Sequence, residues 1–175
     1  MEEGKEVKVF NNILEWTLCI LLALIIALLT RYYIITATVI KQSSMYPTLK
    51  ENQRIIISRT KRITKSQYQV GDIITFEAPS KIKQGAEVDV SNPVAIYNYE
   101  PQGLMNKLVY YVLEINKISY IKRVIGIAGD RVQIKDGKVY VNGEELKEEY
   151  LPEGTTTKTV YYNDVIVPEG CVYVM

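Results

Sequence analysis

The feature that most limits the possible folds is a charge-free apolar run from Trp16 to Thr30, extended beyond Arg31 by a second mostly apolar stretch, Tyr32 to Ile40. About 20 consecutive apolar residues are enough for a helix to cross a bilayer. Trp16, Tyr32 and Tyr33 suit a membrane–water boundary, and Arg31 is long enough to snorkel to the headgroups. A cleavable leader is the competing reading, but the run is long for one and no clear small-x-small site follows it. The sequence thus predicts a short polar tail over residues 1–12, a single transmembrane anchor over 13–40 and a folded domain over 41–175. Charge does not fix the orientation, because Lys5 and Lys8 flank one side and Arg31 and Lys41 the other.

Composition works mainly by exclusion. A chain of 175 residues holds one globular domain and an anchor. A net charge of +1 gives no reason to expect a nucleic-acid partner. No histidine and only 2 cysteines remove most transition-metal sites, so neither a metal nor another cofactor is expected. Cys19 lies in the apolar run and Cys171 near the C-terminus, so they are not expected to pair.

From Lys41 onward the pattern is β-rich. Arg54 to Ser58, Ile73 to Phe76 and Tyr120 to Ile127 read as strands. Val132 to Lys135 and Lys138 to Val141 flank Asp136-Gly137, a strong hairpin signal, and Asn142-Gly143 makes the next turn. Thr155 to Val167 alternates like a strand and turns at Pro168-Glu169-Gly170 into Cys171 to Met175. The expected class is mainly β, an antiparallel barrel or sandwich behind one membrane helix. An insertion at about 79–119 breaks the rhythm. Within it Leu104, Leu108, Tyr111, Val112 and Ile115 follow helical spacing, although Val109 to Val112 would also suit a strand.

Two segments carry candidate chemistry. In Ser44-Met45-Tyr46-Pro47-Thr48-Leu49, Pro47 fixes its own φ and restricts Tyr46, so the serine sits on a rigid turn. Backbone N–H groups at such a turn can face a developing oxyanion. Taken alone, the segment reads as an ordinary surface turn. A serine hydroxyl needs a neighbouring base, and without histidine a lysine is the well-known remaining partner. Lys122, among apolar residues on a strand, is the candidate, since desolvation lowers a lysine pKa. A solvated strand lysine is the alternative.

Three blocks together resemble the bacterial type I signal peptidases, membrane-anchored serine-lysine proteases that remove signal peptides. They are Ser44 to Leu49, Gln69-Val70-Gly71-Asp72-Ile73-Ile74-Thr75-Phe76, and Tyr120-Ile121-Lys122-Arg123-Val124-Ile125-Gly126-Ile127-Ala128-Gly129-Asp130. Val139 to Gly143 and Val167 to Gly170 fit as well. The resemblance implies Ser44 as nucleophile, Lys122 as general base and the Ser44 N–H as oxyanion donor. It implies that Ile40, Met45, Leu49 and Tyr120 line shallow pockets for small residues before the scissile bond. The implied substrates are preproteins bearing signal peptides. The implied location is the bacterial cell membrane, single-pass, with the catalytic domain on the extracytoplasmic side against the lipid.

This sequence also departs from the family pattern. Gln42 stands where the family usually has glycine or a serine that assists the oxyanion hole, so its amide is a candidate second donor. Ala128 replaces a proline, and the insertion at about 79–119 is longer than usual. The chain given stops at Tyr173-Val174-Met175, where the family continues into a G-D-N-R block. That block supplies a hydroxyl orienting the lysine and an acid–arginine brace, so full activity is expected to depend on it. An inactive, membrane-anchored binding or scaffold protein is the competing function.

Overall fold

The computed structural model describes residues 3–79, 94–97, 99–115, 117–152, 154–158 and 162–175. The chain opens with a helix, α1 (Glu3–Tyr33). Its segment Asn11–Tyr33 is long and apolar enough to cross a membrane, and none of the scanned window is buried in the protein. Leu14, Trp16, Leu22 and Leu29 are each about half or more exposed. A helix apolar on every face needs an apolar surround.

α1 ends earlier than the apolar pattern suggests. The chain leaves it at Tyr33 and continues as β1 (Ile35–Val39), so residues 35–39 form sheet and not anchor. β1 pairs antiparallel with β2 (Arg54–Ser58), Ile35 opposite Ser58 and Val39 opposite Arg54. A single turn, α2 (Lys61–Thr64), leads to β3 (Ile73–Glu77), and β3 pairs with β4 (Ser119–Ile127), Ile74 opposite Lys122. Between them the insertion forms α3 (Leu104–Leu108), which widens into a π-helical turn over Val109–Leu113. The helix expected from the spacing of Leu104, Leu108 and Tyr111 is therefore present. Residues 80–93, 98 and 116 of the insertion lie outside the described residues.

The rest is a tight antiparallel unit: β5 (Arg131–Lys135), β6 (Lys138–Val141), β7 (Glu144–Glu145), β8 (Asp164–Ile166) and β9 (Val172–Val174). Asp136 and Gly137 both take positive φ, 50° and 76°, as a two-residue hairpin between right-twisted strands requires. At Gly126 a Cβ would sit 2.8 Å from Val132 Cγ2, so only glycine lets β4 lie this close to β5. The strands form sheets β1-β2, β3-β4-β9 and β7-β6-β5-β8 among the described residues, so the mainly antiparallel class is as expected but no barrel closes. The strand expected over Thr155 to Val167 shrinks to Asp164–Ile166, and residues 159–161 fall outside the described set. The core is Ile125, Val132, Ile134, Val139 and Val167, with Leu146, Tyr150 and Tyr173 packed against it.

Candidate active site

Ser44 sits in the loop joining β1 to β2. The loop is closed at its base by Ile40 N–H donating to Gln53 O (3.0 Å) and Asn52 N–H donating to Ile40 O (2.8 Å). Asn52 takes φ of 62°, a left-handed conformation asparagine tolerates better than most residues. At the tip Tyr46 N–H donates to Ser43 O (2.9 Å) and Leu49 N–H to Met45 O (2.8 Å). The Tyr46–Pro47 peptide bond is cis. Ile40 (4% exposed) and Met45 (8%) fasten the loop inward, while Ser44 stays exposed. Among the described residues neither the Ser44 hydroxyl nor its backbone N–H is hydrogen-bonded. An unspent hydroxyl beside an unspent N–H is the pairing that attack on a carbonyl and stabilisation of the resulting oxyanion require.

The serine overlooks a cavity of about 1000 Å³ between β1, β2 and β3. Ile40, Gln42, Ser44, Met45 and Leu49 all line it, so five of the residues singled out in the sequence converge on one space. Tyr120 and Lys122 are not among its lining residues, although Ser119 and Ile121 are. Their cross-strand partners Phe76 and Ile74 do line it. Tyr120 meets Phe76 edge-on, ring centroids 6.2 Å apart. No hydrogen bond joins Lys122 to Ser44 in the structure.

Its neighbour Arg123 does reach the serine loop. The guanidinium donates to Thr48 Oγ1 (3.2 Å) and Gly71 O (3.1 Å) and lies 4.1 Å from the centre of the Tyr150 ring. It thereby ties the Ser44 loop, the Gly71 turn and the core side of the domain together. The Gly71 turn is itself braced: Asp72 accepts from Lys61 (2.7 Å) and from Gln69 N–H (3.1 Å). The Lys61 contact, then the Gln69 one, holds the Asp72 carboxyl below its usual range.

Ser44 also borders a smaller cavity of about 130 Å³, with Arg123, Glu148, Tyr150 and Met175. Burial first, then the charge of Glu148, pushes the Tyr150 hydroxyl up to about 12, so it keeps its proton at neutral pH and is no base for Ser44. Arginine is never deprotonated in proteins. Glu148, which accepts from Tyr150 (3.1 Å), is the remaining proton acceptor there.

The sequence reading missed Arg59. It lines the large cavity, is only 9% exposed and pairs with Glu114 of the insertion at 2.6 Å. Among the described residues its Nη1 is buried with no hydrogen-bond partner. Nothing local marks this residue, because its acid lies 55 positions away. Arg31, expected to snorkel, instead donates to Val112 O (3.1 Å) and Leu113 O (3.0 Å), the carbonyls ending the insertion helix. Among the described residues no group of acids and cysteines could hold a metal ion.

Comparison with known proteins bears on the whole of this arrangement. Signal peptidase I of Bacillus licheniformis is 28% identical, over 100% of this chain and 78% of that protein. Signal peptidase I T of Bacillus subtilis is 28% identical over 94% of this chain and 70% of its own length. Probable signal peptidase I-1 of Synechocystis is 30% identical over 89% of this chain and 64% of its own. The match to the family model reaches from within α1 to β9, taking in the serine loop, the Gly71 turn and β4: over residues 13–175 this chain belongs to the family described as signal peptidase, peptidase S26.

Proposed function

We propose that this protein is a membrane-anchored serine endopeptidase that removes signal peptides from exported preproteins, with Ser44 as nucleophile and Lys122 as general base. Family membership over residues 13–175 supports the substrate class. The observation that carries the site is Ser44 itself, exposed above a cavity of about 1000 Å³ with its hydroxyl and N–H both unbonded among the described residues.

β1, β2 and β3 each keep one edge unpaired among the described residues, and all three line the cavity. An extended peptide can add a strand to such an edge, using main-chain hydrogen bonds for affinity and side-chain pockets for choice. Ile40, Met45 and Leu49 then meet the side chains just before the cut, and their apolar walls favour small residues by steric exclusion. Arg59 Nη1, buried at the same cavity and without a hydrogen-bond partner among the described residues, is a donor for a peptide carbonyl.

In the first half-reaction Ser44 Oγ attacks the scissile carbonyl carbon as neutral Lys122 accepts the hydroxyl proton. The oxyanion rests on the Ser44 N–H, with the Gln42 amide as a second donor. The intermediate collapses as the Lys122 ammonium returns the proton to the departing amine. In the second, Lys122 takes a proton from water as the water oxygen attacks the acyl carbon. The intermediate then collapses by breaking the bond to Ser44 Oγ, which takes the proton back from the Lys122 ammonium as the signal peptide leaves with its new carboxyl end. A base must come within about 2.6–3.2 Å of its target, so the flexible lysine stem has to bring its nitrogen round to Ser44. Glu148, which lines the smaller cavity together with Ser44, is the rival base. The single-pass anchor, with the sheet domain on the extracytoplasmic side, follows from this reading.

The test is cleavage of a signal-peptide-bearing preprotein by Ser44→Ala in the lipid-reconstituted protein. Loss of cleavage with an unchanged circular dichroism spectrum is expected, because an exposed hydroxyl contributes little packing. Undiminished cleavage would remove Ser44 from the mechanism.

A further inference from the structure

The insertion presents apolar surface that the fold leaves uncovered. Leu104 is 90% exposed, Met105 72%, Ile96 and Tyr99 60% each, and Ile118 66%. Scattered exposed apolar residues are normal, but a helix and its flanks exposed in this way mark a contact surface. Lys107, on the helix, and Glu100, just before it, stand 3.9 Å apart.

What lies against this surface follows from where the insertion is fastened. Arg31, in the last turn of α1, donates to Val112 O and Leu113 O at 3.1 and 3.0 Å, satisfying carbonyls that a helix end leaves open. Glu114, the next residue, is held by Arg59 at 2.6 Å. Lys117 is held by Glu77 at 3.3 Å. Three attachments therefore fix the C-terminal end of the insertion to the top of α1 and the rim of the cavity. The apolar stretch Asn11–Tyr33 also ends at that level, with Arg31, Tyr32 and Tyr33, residue types suited to a headgroup boundary. Arg62 lies 4.6 Å from the Tyr32 ring and donates to Tyr32 O at 2.9 Å, adding a second cation there. From Leu113 back to Leu104 the rise is about 14 Å at most, so the exposed helix stays within reach of the boundary.

We propose that the insertion helix, Leu104 to Leu113, is an interfacial membrane element: it lies in the headgroup region of the leaflet at the C-terminal end of α1 and buries Leu104 and Met105 among lipid. This rests on the reading that α1 spans the bilayer. Removing apolar surface from water supplies the drive, and the Arg31 attachment supplies the position. With Glu114 and Lys117 lining the cavity itself, the element sets the height of the cavity mouth above the lipid, where a membrane-embedded substrate has to enter.

The experiment uses full-length protein in phosphatidylcholine–phosphatidylglycerol vesicles whose acyl chains are brominated near the headgroup. Trp16 is the only tryptophan, so the wild type reports the anchor alone. Leu104→Trp in a Trp16→Phe background reports the insertion, and Ile166→Trp in the same background, at an open site on β8 (67% exposed), is the reference. The expected result is a blue-shifted Leu104→Trp emission that loses most of its intensity to brominated lipid, while Ile166→Trp is unaffected. If Trp16 is not quenched, the anchor reading fails and takes the proposal with it. If Trp16 is quenched and Leu104→Trp is not, the proposal alone is wrong. A blue shift that appears only with added preprotein would assign the surface to substrate. One that grows with protein density irrespective of bromination would assign it to a second copy. Either outcome overturns the lipid assignment, as would equal quenching at Ile166→Trp.

Discussion

The two ends of the sheet domain are built on opposite terms. Around β5 and β6, Val132 is 2% exposed and Val139 0%, and short turns join strands that cover one another. Around β1 and β2, Ile56 is 73% exposed and Val39 44%, and a broad cavity separates the ribbon from β3. The first end is a frame closed by its own side chains. The second leaves strand edges and apolar faces for something else to cover. The candidate nucleophile stands where the two meet, on the open ribbon but tied through Arg123 to Tyr150 of the frame.

That contrast can be broken by substitution. Ile125→Ala, at 1% exposure in the core, is expected to destabilise the domain by about 2–5 kcal/mol. Ile56→Ala, on the open ribbon, should stay within about 0.5 kcal/mol. Chemical denaturation in detergent, followed by circular dichroism, measures both, and equal losses would erase the distinction between frame and ribbon. The open end does contain one firm contact. Glu114→Gln leaves the Arg59 cation buried without its counter-charge. A fully buried pair broken this way costs about 3–5 kcal/mol, and because Glu114 keeps 21% of its side chain exposed, about 2 kcal/mol is expected. A negligible change would mean that the insertion is not anchored through this pair.

The smallest effect belongs to the frame's surface. Asp164 accepts from Arg131 at 2.8 and 2.6 Å and from Gln133 at 2.8 Å. The Arg131 contact, then the Gln133 one, depresses its carboxyl to about 2. A depressed acid adds stability above its unfolded value, near 3.9, and loses it as pH falls through about 2. Asp164→Asn should therefore slightly lower stability at neutral pH and remove the acid dependence between about pH 4 and 2. Because the pair is exposed, the effect should fade in high salt. An acid unfolding curve unchanged by the substitution would show that the pair contributes nothing.

How much of this was legible in the sequence differs between the same two ends. The frame's hairpins were readable because Asp136-Gly137 and Asn142-Gly143 carry their own turn chemistry, and both pairs take positive φ. β1 was not, because Ile-Thr-Ala-Thr-Val continues the apolar run of α1 and periodicity cannot separate a short apolar strand from a helix end. Its partner β2 supplies the missing cause, by pairing Ala37 with Ile56. The serine loop stands out in the sequence by its motif, whereas the cavity that Ile40, Gln42, Met45 and Leu49 line together is visible only in the fold. The roles of Arg31, Arg59 and Arg123 were hidden, since each acts on a residue tens of positions away. Sheet closure is equally non-local, which is why the strand pattern reads as barrel or sandwich alike and only the structure shows separate antiparallel sheets.

A serine–lysine mechanism requires that Ser44 lose its proton to Lys122. The most direct measurement is kcat/KM for preprotein cleavage by Lys122→Arg, set beside Lys122→Ala and Glu148→Gln. Arginine keeps a positive charge but cannot give up its proton. Lys122→Arg should therefore be as inactive as Lys122→Ala, with Glu148→Gln close to wild type. Cleavage retained by Lys122→Arg and lost in Glu148→Gln would place the base on Glu148 and contradict the serine–lysine reading.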